Sequence, residues 1–210
     1  MRNAISFEET INKLYSGLGW VSFFTKIRFW TGSYVQLERF IPKRGTILDL
    51  GCGYGIFATY LALSSKQRRV IGMDTDKAKI RFVNRGVANV RAILGDATKT
   101  VENGLSAIVL LDVLHHLESY AQQETLIVAC KKMLEKNGRL IISEVDRKPF
   151  WKLVLARATD FLLYPWEPVY YGYRVKLFPV LERHFGKSMI TVHRFAHNPF
   201  PHLVYVCQKK

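Results

Sequence analysis

Nine consecutive residues, Ile47-Leu48-Asp49-Leu50-Gly51-Cys52-Gly53-Tyr54-Gly55, join a short apolar run to an acid and three glycines at alternate positions. Glycine at such a turn lets the backbone tighten and lets a ligand lie against the main chain. The first amides of a following helix then face that ligand. The spacing is G-x-G-x-G. A dinucleotide fingerprint would need a glycine three residues after Gly53, where Ile56 stands, and a P-loop would need a terminal Gly-Lys-Ser/Thr. The turn carries no basic residue, which suits a ligand without phosphates.

Two acids extend the pattern. Val70-Ile71-Gly72-Met73-Asp74 places a carboxylate twenty-one residues after Gly53, where it can accept both hydroxyls of a ribose. In Gly95-Asp96-Ala97 the acid can accept from an adenine amino group, and the small Ala97 leaves room for a flat ring. The pair His115-His116 follows Leu111-Asp112-Val113-Leu114. Either imidazole could take a proton from a nucleophile. Either could equally cap a helix or pack against the ligand loop. Glu144 and Asp146 could belong to a carboxylate cluster or serve as capping groups, and no metal is expected.

The elements that position these residues alternate. Helices are expected over 6–16 and 20–40, the second rich in aromatics, before Pro42 and Gly45 punctuate the chain. Strands are expected at 47–50, 69–73, 90–94, 107–111 and 139–143, and helices at 56–64, 77–86 and 119–135. Asn137-Gly138 should turn the chain into the last of these strands. Strands separated by helices imply βαβ units and a parallel sheet. Nine aromatics then crowd 149–178, suggesting a helix over 150–163, a loop and a helix near 174–184. Strands at 187–194 and 203–208, joined by a turn at Asn198-Pro199, should pair antiparallel. The expected organisation is a helical cap over 1–44 and an α/β domain over 45–210, with a helical, aromatic-rich insertion at about 149–178.

The chain resembles the class I, Rossmann-like methyltransferases that act on small molecules and lipids. The resemblance covers about residues 40–146. It rests on the glycine loop, Gly72-Met73-Asp74, Gly95-Asp96-Ala97, Leu111 to Leu117, and Leu134-Glu135-Lys136-Asn137-Gly138-Arg139-Leu140-Ile141-Ile142. It implies a seven-stranded, mostly parallel sheet with helices on both faces and a C-terminal antiparallel hairpin. It also implies S-adenosylmethionine as cofactor and S-adenosylhomocysteine as product. By the same resemblance Gly51, Cys52 and Gly53 lie against the methionine portion with Asp49 beneath it. Asp74 holds the ribose, Asp96 and Ala97 frame the adenine, and the backbone near Asp112 closes the site. His116 matches the family's recurrent histidine better than His115. Tyr54 departs from the family's usual small or polar residue, and either shapes the pocket or faces solvent. The chain has no Asn/Asp-Pro-Pro-Tyr after the fourth strand, which argues against adenine or glutamine N-methylation.

Charge and composition bear on partners. The net charge is +14, divided as +4 over 1–45, +2 over 46–146 and +8 over 147–210. The excess lies on the flanks, where it attracts anionic partners. Those flanks also hold Trp20, Phe23, Phe24, Phe29, Trp30 and Tyr34. A small apolar, aromatic or lipid-like acceptor fits such surroundings, carried by an anionic membrane or an acyl carrier protein. RNA is a weaker reading, because the basic residues mostly occur singly. A non-catalytic, cofactor-binding protein is the remaining alternative. The three cysteines, Cys52, Cys130 and Cys207, include no C-x-x-C pair. Without a secretory h-region or a long apolar run, the expectation is a cytoplasmic protein, either free or peripheral to the membrane.

Overall fold

The computed structural model describes residues 2–99, 102–146, 151, 154, 158, 177–195, 200 and 202–210, with side chains from residue 7 onward. Its centre is a seven-stranded sheet. The strands are β1 (Gly45–Leu50), β2 (Arg68–Asp74), β3 (Val90–Leu94), β4 (Leu105–Leu111), β5 (Leu134–Val145), β6 (Ile190–Phe195) and β7 (His202–Gln208). They lie in the order β3-β2-β1-β4-β5-β7-β6. β1 to β5 run parallel, and β7 is antiparallel to both β5 and β6. The order reverses beside β1, and the carboxyl ends of β1 and β4 flank that crevice, where open α/β sheets bind ligands.

The strand residues divide between two faces with a period of two. Ile47, Val70, Val109 and Ile141 face one layer, while Leu48, Ile71, Leu110 and Ile142 face the other. On the first face pack helices α1 (Arg2–Leu14), α2 (Trp20–Thr31), α3 (Tyr34–Glu38) and α4 (Ile56–Ser64). The second face is covered by α6 (Tyr120–Met133) and α7 (Leu177–Phe185). The short α5 (Lys77–Ile80) follows β2. The N-terminal helices share one continuous core with the sheet: Ile11, Tyr15, Phe24 and Leu37 belong to the same buried cluster as Ile47 and Phe57.

Several elements differ from expectation for identifiable reasons. The helix expected over 20–40 is two helices. The break falls at Gly32, whose backbone is extended and whose N–H donates to the Arg28 carbonyl at 2.7 Å. A Cβ there would lie 2.6 Å from that carbonyl oxygen, and the break turns Tyr34 into the core. The helix expected over 77–86 stops at Ile80. Asp76 caps it by accepting from the Ala78 and Lys79 amides, and the chain then folds inward so that Val83 is fully buried against Gly55 and Gly72. β5 starts at Leu134, with a register shift between the pairs Leu105–Leu134 and Ala107–Arg139. Asn137, in the left-handed region at φ 65°, and Gly138 therefore form an irregularity within the strand rather than a turn before it. Residues 187–189 form a 3-10 turn ahead of β6. The helix expected over 150–163 and the turn at Asn198-Pro199 fall largely or wholly outside the described residues.

One buried cation ties the N-terminal helices to the sheet. Arg68, at the start of β2, is 1 % exposed. Its guanidinium donates to the carbonyls of Ile41, Pro42 and Leu61 and to the Ser64 hydroxyl, at 2.6–3.1 Å, and pairs with Glu38 at 2.9 Å. These contacts close the ends of α3 and α4 around the entry to β1. Removing the guanidinium strands three carbonyls and leaves Glu38 with only Lys43 and the Ser64 hydroxyl. Arg68→Ala should therefore lower unfolding stability by about 3–5 kcal/mol, measured by urea denaturation.

Candidate active site

The glycine loop is held from two sides. The Gly51 and Cys52 amides donate to the Met73 carbonyl at 2.8 and 3.1 Å, and the Gly53 amide donates to Asp74 Oδ2 at 2.7 Å. The other oxygen of Asp74 accepts from the Asp76 amide at 2.8 Å. Glycine is required here for two different reasons. Gly51 has φ 72°, and a Cβ on it would lie 2.6 Å from Val113. Gly53 has φ 54°, and a Cβ on it would meet no protein atom, so its open side is available to a ligand.

A cavity of about 820 Å3 opens above this loop. That is within the range of ligand sites for small molecules and cofactors, ~300–1,000 Å3. Asp49, Gly51, Cys52, Gly53, Asp74, Asp96, Ala97, Asp112, His115 and His116 all line it, so the residues singled out by sequence converge on one space. Cys52 also packs against Gly72, where a Cβ would approach its sulfur to 3.0 Å, and burial pushes its thiol up. Asp96 holds its own turn, accepting from the Thr98 amide and hydroxyl at 2.8 Å, and these bonds hold its carboxyl below the usual range. Tyr54 lines the cavity with edge contacts to Phe24 and Phe82, centroids 4.9 and 5.7 Å apart. Of its two expected places, it stands in the pocket wall rather than in solvent.

Asp49 is an acid of the cavity wall whose pKa is strongly raised. It is 2 % exposed at the end of β1. Burial pushes its pKa up to about 7, against the opposing hydrogen bond from the Ala58 amide at the start of α4. Its Oδ2 is buried without a protein partner.

Asp112 lies at the end of β4 with φ 56°, and its amide donates to the Ser143 carbonyl at 2.9 Å. Its Oδ2 accepts from both terminal guanidinium nitrogens of Arg28 at 3.3 Å, and its Oδ1 lies 3.4 Å from His202 Nε2. Despite its burial, the His202 and Arg28 charges drive its carboxyl well below the usual range. Arg28 comes from α2, eighty-four residues away in the chain, and no local signal in the sequence links it to Asp112.

Behind the histidines stands Glu144, at the end of β5. Its Oε2 lies 2.8 Å from His115 Nδ1, and its Oε1 accepts from the Leu114 amide at 2.8 Å. The Gln123 side chain of α6 donates to the Leu114 carbonyl at 3.0 Å, so the turn is fixed from two sides. An ionised Glu144 accepts, which assigns the proton to His115 Nδ1 and leaves Nε2 as the basic nitrogen. The His116 ring lies beside it, centroids 4.4 Å apart. The sequence offered Glu144 as a metal-cluster or capping acid; the structure uses it to cap the turn and orient His115. Asp146 pairs with Arg194 at 2.8 Å.

Residues 48–142 match a family model described as a methyltransferase domain. The 3-2-1-4-5-7-6 sheet, with the glycine loop at its switch point, agrees with that match. The chain carries a methyltransferase domain over residues 48–142 and is similar to the class I, S-adenosylmethionine-dependent methyltransferases. Among its relatives, the (S)-coclaurine N-methyltransferase of Thalictrum flavum subsp. glaucum is 28 % identical over 120 residues, 54 % of this chain and 32 % of that enzyme. A ribosomal RNA small subunit methyltransferase C of Stutzerimonas stutzeri is 27 % identical over 171 residues, 78 % of this chain and 43 % of that protein. The matched segments thus span less than half of these relatives' lengths. The fold is shared with the N-methyltransferase NodS of Bradyrhizobium japonicum WM9, solved with S-adenosyl-L-homocysteine. That likeness has a TM-score of 0.61 at 18 % identity and covers 84 % of this chain and 85 % of that one.

The residues present fit the family's cofactor. The unpartnered Asp49 oxygen, the open side of Gly53 and the cavity volume all accommodate an adenosyl amino acid.

The raised pKa of Asp49 makes stability depend on pH. Below about pH 4 the folded and unfolded chains both hold this proton, and nothing is lost. Between pH 4 and 7 the unfolded chain releases it first, so burial costs increasing stability, in full above pH 7. Asp49→Asn should therefore leave stability unchanged at pH 4 and raise it at pH 8, by on the order of 4 kcal/mol at most. Thermal unfolding at the two pH values measures this.

Proposed function

We propose that this chain transfers the methyl group of S-adenosylmethionine to an oxygen or nitrogen of a small, apolar or aromatic acceptor. The observation that carries the reading is the shared cavity. Asp74 and the glycine loop line one part of it, and Phe24, Tyr34, Leu117 and the carboxylate-backed His115 line another.

The cofactor, when bound, supplies an electrophilic methyl carbon. Gly53 would give it backbone access, Asp74 would accept from its ribose hydroxyls, and Asp49 Oδ2 would accept from its amino group. Ala97 leaves room for the adenine beside Asp96. The chain's other contribution is to orient the acceptor and relieve it of its proton. Glu144 holds the His115 ring with Nε2 as the accepting atom, and Phe24 and Tyr34 supply apolar walls. Burial pushes the Tyr34 hydroxyl up to about 12, so it acts as a neutral donor. His116 lines the same cavity and is the second candidate for the base.

The name of the coclaurine relative favours a small-molecule acceptor. The longer match to a ribosomal RNA methyltransferase favours a second reading, methylation of RNA.

Calorimetry with S-adenosylmethionine and S-adenosylhomocysteine should show one site. A folded chain that binds neither would sink the enzymatic reading. Transfer of labelled methyl to phenolic and amine pools, with ribosomal RNA as the competing acceptor, separates the two readings. His115→Ala should lower kcat by about 100-fold or more while cofactor affinity stays constant. Glu144→Gln should give a smaller loss and a shifted pH–rate profile. Unchanged turnover in His115→Ala, with loss in His116→Ala, would transfer the role to His116.

A further inference from the structure

Helix α2 has two faces with different surroundings. Val21, Phe24, Thr25 and Thr31 are buried, and with Arg28 they share one arc of the helix. Phe24 and Arg28 of that arc line the cavity. On the adjoining face, centred about 120° round the helix, Trp20, Phe23 and Trp30 are 47, 51 and 67 % exposed. With half-buried Ile27 they fall within about 80° of arc at 3.6 residues per turn. The Trp20 and Phe23 rings meet at 5.4 Å, so the stripe is continuous there. Single exposed apolar side chains need no explanation, but a stripe of large aromatics on one helix does.

We propose that this stripe seats α2 in the interface of an anionic lipid bilayer, so that an apolar acceptor reaches the cavity from the membrane. The proposal rests on the cavity being a methyl-transfer site for such an acceptor. Trp and Phe partition to the headgroup level, where amphipathic helices lie flat. The charge complements an anionic surface: residues 1–45 carry a net +4, and Lys13, Lys26, Arg39, Lys43 and Arg44 are exposed. Among the described residues no helix is long and apolar enough to cross a membrane, and α2, with 12 residues, fits a surface position.

Other occupants fit less well. Single-stranded nucleic acid is held by aromatics lying in a positively charged groove. Here Lys26 is the cation nearest the stripe on α2, and it sits at the stripe's edge. A second copy of the chain would need ~800 Å2 on each partner for a stable interface. Half of three aromatic side chains supplies roughly 350 Å2.

The test is flotation of the full chain with phosphatidylcholine vesicles and with vesicles in which a quarter of the lipid is phosphatidylglycerol. The chain should float with the anionic vesicles at low salt and less at high salt. The triple variant Trp20→Ala, Phe23→Ala, Trp30→Ala should bind them at least tenfold more weakly, with an unchanged thermal midpoint and unchanged affinity for S-adenosylhomocysteine. Lys26→Glu, which keeps the aromatics, should weaken binding several-fold. The proposal is overturned if the chain does not float, or if the triple variant floats as well as the parent. It is also overturned if the triple substitution instead abolishes self-association or RNA binding. Failure to bind S-adenosylhomocysteine would sink the underlying cavity reading, and calorimetry reports that independently of the vesicles.

Discussion

The carboxylate of Asp74 is the contact on which the ligand site depends. It accepts from the Gly53 amide with one oxygen and from the Asp76 amide with the other. A single side chain thereby fixes the glycine loop after β1 and the turn after β2. The Gly51 and Cys52 amides go to the Met73 carbonyl on the same strand end. Both turns are pinned to β2 before any ligand arrives, so the loop needs little reordering on binding. Substitution of Asp74 would release two amides as well as remove a ribose partner, and the two effects would be difficult to separate by affinity alone.

Around that fixed point, charged groups from four distant segments meet at the carboxyl edge of the sheet. Arg28 from α2, Asp112 from β4, Glu144 from β5 and His202 from β7 all lie there, with Asp49 from β1 near them. Burying so many ionisable groups is expensive unless they are paired. Asp112 pairs with Arg28 and lies 3.4 Å from His202 Nε2, and Glu144 serves two partners. Asp49 lacks a protein partner for one oxygen, and burial raises its pKa. Folding tolerates this unpaired atom at a position where a cofactor can use it.

The local half of this design was legible in the sequence. Gly51, Gly53, Asp74 and Asp96 stand at strand ends, and their roles follow from spacing along a few residues. The parallel core and the closing antiparallel pair followed from strand lengths and their separation. The pairing of Arg28 with Asp112, and of His115 with Glu144, spans eighty-four and twenty-nine residues. Such contacts exist only after the sheet has ordered its strands, so no local pattern announces them. Helix lengths were misread where packing overrode periodicity. Val83 continues the apolar stripe of 77–86, yet the chain leaves the helix at Ile80 to bury it against the glycine loop. Gly32 likewise splits a continuous aromatic pattern because only a bare α-carbon fits beside the Arg28 carbonyl.

Tyr15, the first residue after α1, is completely buried beneath the glycine loop. Its hydroxyl donates to the Tyr54 carbonyl at 2.8 Å and lies 3.2 Å from the Thr59 hydroxyl. The N-terminal helices are therefore not an interchangeable cover. A lineage that replaced them to accommodate a different acceptor would also remove a support from beneath the cofactor loop. Acceptor choice and cofactor affinity are inherited together in this chain, and change in one carries a debt to the other.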